Sequence, residues 1–325
     1  MKEPTATRPP LPRKMAQAVL MVLSGTPTNV AAAAISTRPE TLTDAIETYQ
    51  SAGYQALEAQ MANHAWYSVR VQFTDWYSAE QAAVSDLGPR LSELQDRKLI
   101  SEWWFIRKHP CWRLRLRPLD GLIPEAKAAV NTALNDLTTS KVLTRWWPAI
   151  YEPEDASFGG HIGVEIAHNL FCADSRHVLA YLQKPTDVGR KEVSMLLCAT
   201  LLSAAGLDHF ERGNLWNHVA ELRPLPPDTP SDLLQELVER IRPLVAARTG
   251  SLTPDGPSAF AMPWATVFRD AGQSLGEAAS AGHLDRGIRH ILTHLVIFHW
   301  NRLGLPPTTQ AVLSHAACEA LLPRT

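Results

Sequence analysis

The stretch "CWRLRLRP", residues 111–118, sets Arg113, Arg115 and Arg117 at every second position, with Trp112, Leu114 and Leu116 between them. A two-residue alternation is the pattern of a strand with one apolar face and one charged face. The row of cations either faces solvent or lines a site that receives an anion. The preceding run "EWWFIRK" (102–108) reads as a second strand, and "HPC" turns the chain between the two. Arg107 and Lys108 end that strand, and no acidic residue falls between Arg107 and Arg117. The hairpin therefore concentrates positive charge. Guanidinium groups bind carboxylates through two parallel hydrogen bonds and stay ionised at any working pH.

Working outward, "WYSVRVQF" (66–73) predicts a strand, 78–99 a helix with a kink at Pro89, 123–137 a helix and "TRWWPAIYEP" (144–153) a strand. The order β-α-β-β-α-β is that of a split βαβ, ferredoxin-like sheet. From about residue 164 onward the pattern is helical: 164–183, 189–205, 208–222, 231–247, 262–280, 284–303 and 307–321, with Pro-rich loops at 223–232 and 249–258. Upstream, residues 1–14 are polar and Pro-rich and read as a disordered tail. Residues 15–60 read as three short helices, the third ending at Gly53, in a helix-turn-helix-like unit. Glu40, Asp44 and Glu47 on the third would face phosphates badly, so a packing or protein-binding appendage is expected there, not a DNA-binding one. The fold class expected is α+β: a ferredoxin-like sheet region followed by a large helical region, both within 61–325, preceded by a small helical unit.

The chain of 325 residues is 45% apolar and 20% charged, with a net charge of −2, so its global field draws it to neither nucleic acid nor anionic membrane. Four cysteines stand far apart, at 111, 172, 198 and 318, which suits a reducing cytoplasm and argues against a zinc ribbon or disulfide scaffold. The apolar run after residue 14 is too short to span a bilayer, and no signal peptide is read. No P-loop, dinucleotide fingerprint, nucleophile elbow or kinase signature occurs.

Two further stretches hold candidate site residues. "YEPEDASFGGHIGVEIAH" (151–168) follows the last strand. Glu152 and Glu154 alternate and can pair with the arginines, Gly159 and Gly160 permit close backbone approach, the free N–H groups of the helix that follows can hold an anion, and His168 ends the stretch on that helix. "RGIRHILTHLVIFHWNRLG" (286–304) is apolar nearly all round, which predicts burial. His294, His299, Asn301 and Arg302 in such a helix need partners. At 100° per residue, His290, His294, Ile297 and Asn301 share one stripe, and His299 and Arg302 another. The i, i+4 spacing of His290 and His294 also suits a metal, but no third ligand or H-E-x-x-H pattern accompanies it, so no metal is expected.

Jointly, "EWWFIRKHPCWRLRLRP", "YEPEDASFGGHIGVEIAHNLFCADS" and "IFHWNRLGLPPTTQAVL" resemble the stand-alone thiopeptide-type bacteriocin biosynthesis proteins. These are similar to the C-terminal, glutamate-eliminating domain of lantibiotic dehydratases. The resemblance covers about residues 64–323. It implies a lyase that eliminates glutamate from glutamylated Ser or Thr of a ribosomally made precursor peptide, leaving dehydroalanine or dehydrobutyrine. It implies no cofactor, and two partners: the precursor peptide and a separate glutamyl-tRNA-dependent glutamyl-transferring subunit. A diverged branch forms the pyridine ring of thiopeptides by a formal [4+2] cycloaddition, and a non-catalytic peptide-binding subunit is the third alternative. The resemblance carries Arg113 and Arg115 over as catalytic arginines. The family's arginine near its Gly-Gly motif has no match here, and its histidine falls on Ile297. His294, one turn earlier on the same stripe, or His299, would then be the base. Arg107, Arg117, Glu152, Gly159, Gly160, His168, Asn301 and Arg302 are the expected substrate-binding residues. Whether the chain forms a homodimer is left open.

Overall fold

A computed structural model describes residues 12–64, 66–184, 186–246 and 258–322, which fall into two compact units, 1–64 and 65–325. The first unit holds α1 (Pro12–Leu23), α2 (Thr28–Ala34) and α3 (Pro39–His64) around a small core of Ala18, Val19, Ala31, Ala32 and Leu42. Three short helices were expected. However, α1 already includes residues 12–14, which the sequence assigned to the tail, and α3 runs through Gly53, where a stop was expected. A Cβ at Gly53 would meet nothing within 4 Å, so no packing constraint requires glycine there. One internal glycine costs a helix about 1 kcal/mol, and the Ala- and Gln-rich residues after it are good helix formers. Glu40, Asp44 and Glu47 are exposed.

The second unit begins with a four-stranded antiparallel sheet. Its strands are β1 (Tyr67–Phe73), β2 (Ile100–Lys108), β3 (Cys111–Pro118) and β4 (Leu143–Ala149), in the spatial order β2-β3-β1-β4. With one helical segment before β2 and one before β4, this is the ferredoxin-like order. The expected helix at 78–99 is divided: α4 (Ala79–Ala82), one π-helical turn (Ala83–Leu87) and α5 (Gly88–Asp96). Pro89 has no N–H to give to the preceding turn, and it sits in the first turn of α5, where none is needed. α6 (Ile123–Thr139) contacts β3, β4 and α5.

The register of β3 sorts its two faces. Trp112, Leu114 and Leu116 lie opposite Arg107, Phe105 and Trp103 of β2 and belong to the core. Arg113, Arg115 and Arg117 lie opposite Ile106, Trp104 and Glu102. The remaining elements are helices: α7 (Asp155–Phe158), α8 (Gly160–Gln183), α9 (Arg190–Ala204), α10 (His209–Leu222), α11 (Ser231–Ala246), α12 (Met262–Ser280), α13 (Ile288–Leu303) and α14 (Pro307–Leu321). The expected loop at 249–258 lies almost wholly outside the described residues. Among these, no helix is long and apolar enough to cross a membrane.

β2 is an edge strand, and an edge leaves backbone groups that must find partners. The Phe105 N–H donates to Ser175 Oγ of α8 at 3.1 Å, and its carbonyl accepts from Arg302 Nε of α13 at 3.1 Å. Arg302 also donates from Nη1 to Asp174, and its guanidinium lies 4.5 Å from the Phe171 ring centroid. Asp174 is completed by His299 Nδ1 at 3.0 Å and Trp264 Nε1 at 2.8 Å. Asp174 and Arg302 are fully buried. This network docks the helical region on the sheet.

Burial alone would raise the Asp174 carboxyl, but His299 and Arg302 outweigh it and hold it below the ordinary carboxylate range. A carboxyl depressed in the folded state stabilises the fold above its unfolded pKa, near 4, and ceases to do so as pH falls through the folded value. Asp174→Asn should therefore cost about 3–5 kcal/mol at pH 7, the usual loss when one partner of a buried pair is removed. It should also flatten the acid limb of stability below about pH 4. Chemical denaturation at pH 7 and pH 3 checks both. A loss under about 1 kcal/mol at pH 7 would show the pair to be replaceable.

Candidate active site

The arginine face of the sheet is roofed where α8, α13 and the chain after β4 approach it. A cavity of about 910 Å³ lies beneath. Trp104, Ile106, Arg113 and Arg115 line it from the sheet, Tyr151, Glu152 and Glu154 from the chain after β4, and His168 and Phe171 from α8. Phe298 and Asn301 line it from α13, and Gln310 from α14.

Arg115 is the central cation. It is 9% exposed, and its guanidinium carbon lies 4.6 Å from the Trp104 ring centroid and 5.7 Å from that of Tyr151. Burial, with some help from the charges of Arg113 and Arg302, lowers its pKa to about 10, against the pull of Tyr151 and Glu154. Its Nε and Nη1 are buried without a hydrogen-bond partner among the described residues, as are Trp104 Nε1 and Nε and Nη2 of Arg107. All three residues line the cavity, and every one of these atoms is a donor. Each unpaired buried donor costs about 1–3 kcal/mol until an acceptor reaches it.

Tyr151 Oη and His168 Nε2 form a hydrogen bond at this end of the cavity. Burial raises the phenol above its ordinary range, although Arg115 opposes this. Burial, then the charges of Arg117, Arg115 and His161, lowers the imidazole to about 3. The pair at neutral pH is thus a protonated phenol and an uncharged imidazole. The second end of the cavity holds Arg107. It is ion-paired with Glu80, and its guanidinium carbon lies 4.6 Å from the Trp112 ring centroid. Glu80 also takes Arg190 Nη1 at 2.7 Å, so one carboxylate is shared between two guanidiniums.

Of the residues expected from sequence, Arg107, Arg113, Arg115, Glu152, His168 and Asn301 line the cavity. Six others do not. Arg117 is exposed and lies 3.6 Å from Glu102. Arg302 and His299 are enclosed in the Asp174 network, which corrects their expected places in a substrate site. His294 is only partly buried. Its Nδ1 lies 2.8 Å from the His290 carbonyl, and its ring stands edge-on to Phe158 with centroids 6.4 Å apart. The requirement that a His294 base share a cleft with Arg113 or Arg115 is therefore not met. Gly159 and Gly160, at φ of +82° and +87°, form the corner between α7 and α8. A Cβ on either would lie 2.5 Å from Ile291 Cδ1 or 2.2 Å from Asp285 Oδ2, so close packing is their role. Glu154, the other acidic residue expected to pair with the arginines, also lines the cavity. Tyr151, Trp104 and Gln310 were missed. Tyr151 stands in a quoted motif, yet nothing in its spacing marks it as the partner of His168.

Residues 66–321 match the family model described as the lantibiotic biosynthesis dehydratase C-terminal domain, and the chain belongs to that family. The tRNA-dependent lantibiotic dehydratase MibB from Microbispora sp. 107891 has a similar fold, with a TM-score of 0.61 at 18% identity. That match covers 80% of this chain but only 28% of MibB. TsrL matches with a TM-score of 0.53 at 15% identity, over 80% of this chain and 99% of its own. TbtD, the pyridine synthase from thiomuracin biosynthesis, matches with a TM-score of 0.54 at 14% identity, over 79% and 97%. No protein of curated function matches the sequence.

With its conjugate acid near pH 3, the His168 imidazole should show no titration between about pH 5 and pH 8. Nitrogen chemical shifts of a histidine-labelled protein test this, with His168→Gln to assign the resonance. A midpoint near 6.5 would show that water reaches the ring freely.

Proposed function

We propose that the chain is a lyase that eliminates glutamate from O-glutamylated Ser or Thr in a ribosomally made peptide. The observation that carries this reading is the wall of unpaired buried donors around Arg115, which asks for an anionic, oxygen-rich ligand. Arg115 and Arg113 bind the carboxylate of the glutamyl group, which also positions it as the leaving group. His168, held by Tyr151, takes the proton from Cα. The electron pair forms the Cα=Cβ double bond as the Cβ–O bond breaks, and glutamate departs with that oxygen. The base moves to His168 because neither His294 nor His299 lines the cavity. A base is most effective with its pKa near the working pH. The bound carboxylate supplies part of that adjustment, since it offsets the Arg115 charge that weakens the ring. The substrate peptide and a separate glutamyl-transferring subunit are the partners this reading requires.

Three observations favour a second reading, pyridine-forming [4+2] cyclisation. The family's histidine position is Ile297, no α13 histidine faces the cavity, and TbtD is spanned over 97% of its length. The two readings separate by substrate. Incubation with a glutamylated peptide should release glutamate, whereas a cyclase would act only on an already dehydrated, azole-bearing peptide.

Arg115→Ala and His168→Gln should each lower glutamate release at least about 100-fold, a typical contribution of one electrostatic or acid–base group, without unfolding the protein. Glutamylated peptide then accumulates by mass spectrometry. Unchanged dehydroalanine yield in both variants would sink elimination, and loss of peptide binding with no turnover by the wild type would favour a non-catalytic binding subunit. For the wild type, kcat/KM should stay level from about pH 5 to pH 9, because the base is uncharged above about 3 and Arg115 charged below about 10. An acid limb near pH 6.5 would point to a solvent-exposed histidine instead.

A further inference from the structure

Asn301 is the α13 polar residue on the cavity wall, and its amide is held in one orientation by Gln310 and Arg223, which line the same cavity. Arg223 carries a guanidinium, which can only donate. Its Nε donates to Gln310 Oε1 at 2.8 Å. The oxygen of Gln310 is thereby committed to Arg223, so its NH₂ group must face the other way. There it donates to the Leu305 carbonyl at 2.8 Å, an acceptor only, and to Asn301 Oδ1 at 3.0 Å. Two fixed neighbours, a pure donor on one side and a pure acceptor on the other, thus agree on the same Gln310 rotamer. Gln310 is 1% exposed, so no solvent exchange loosens it. Asn301 must then present Oδ1 to Gln310 and its Nδ2 away from it. Nδ2 has no hydrogen bond to the described residues.

We infer that Asn301 is a substrate-positioning donor, its Nδ2 set by the Arg223–Gln310 pair to bind a carbonyl oxygen of the peptide held in the cavity. The inference rests on the reading that this cavity takes a peptide, and it adds a specificity contact that the arginines do not supply. Arg115 and Arg113 select a charged carboxylate. A neutral NH₂ group instead suits a backbone carbonyl, which has no charge to recruit an arginine. Together they would hold the substrate at two points, its acyl group and its main chain, and so fix which face of Cα meets the base.

Two substitutions separate this role from a structural one. Asn301→Asp keeps an acceptor for Gln310 but turns a second oxygen, now charged, where the donor stood. Asn301→Ala removes both functions, and Gln310 keeps Leu305 and Arg223, so folding should tolerate it. The probe is an N-acetylated, C-amidated five-residue peptide with O-glutamyl serine at its centre, and the full chain is used. Its dissociation constant should rise about five- to tenfold for Asn301→Ala, the worth of one neutral hydrogen bond. For Asn301→Asp it should rise further. Thermal midpoints should fall in the opposite order, with Asp closer to the wild type than Ala. Asn301→Asp binding within twofold of the wild type, or tighter than Asn301→Ala, overturns the donor assignment. A wild type that binds the peptide but releases no glutamate refutes elimination while leaving the order of affinities to decide on Asn301. A wild type that does not bind it at all overturns both.

Discussion

The pairing of Arg302 with Asp174 is the interaction on which the rest of the second unit depends. Arg302 reaches from α13 to the carbonyl of Phe105, on the open edge of the sheet, while bonded to a carboxylate on α8. Ser175, next to Asp174, takes the N–H of the same residue. One α8 residue, Ser175, and one α13 residue, Arg302, held by Asp174, thus occupy an edge that would otherwise recruit another strand. A buried ion pair is seldom more stabilising than apolar packing of the same volume, but it tolerates few alternative geometries. Here that fixes how far α8 and α13 stand from the sheet. The cavity is the space left where these helices pass over the arginine face and cannot close on it.

The arginine row shows how one periodic pattern yields three environments. Arg117 is exposed and lies near Glu102, Arg113 is half-buried, and Arg115 sits between two aromatic rings with two unpaired nitrogens. Strand geometry sets only that they share a face. What each meets depends on the roof, which covers the middle of β3 more than its end. The row is therefore neither a uniform solvated face nor a uniform site.

Much of the fold was legible because it is local. Alternation marked β3, the hairpin followed from the turn read at "HPC", and the order of strands and helices specified the ferredoxin-like sheet. Element ends were legible only to a few residues, and α3 overran Gly53 because no local rule forces a helix to stop at a glycine with open space beside it. The site was half legible. Arginines at alternate positions declare a face. The Tyr151–His168 pair does not, since it forms only when the chain leaving β4 folds back across α8. The helical wheel misled for α13 for a definable reason. It orders side chains around an axis but says nothing of distance along it. His294 and Asn301 share a stripe, yet seven residues separate them by roughly 10 Å of rise, and only Asn301 lies above the cavity. A helix buried nearly all round also has no polar face to reveal which side meets the site.

The electrostatics of the site bear on how an uncharged imidazole of low basicity could serve as a base. His168 is weakened first by burial and then by the cations around it, of which Arg115 is in the cavity with it. In the proposed reaction, a ligand carboxylate on Arg115 would leave the burial in place but cancel part of the cationic contribution, so the ring would become more basic when the anionic part of the substrate is seated. Tyr151, kept protonated by burial, can donate to Nε2 or accept from it as the ring changes state. The chain as a whole has a net charge of −2, and Glu152 and Glu154 stand on the cavity wall, so little long-range field brings anions in. Selectivity must come from the contact itself. Under the proposed elimination, the group that identifies the substrate would be the same group that prepares the base, so a peptide lacking it would not be acted on.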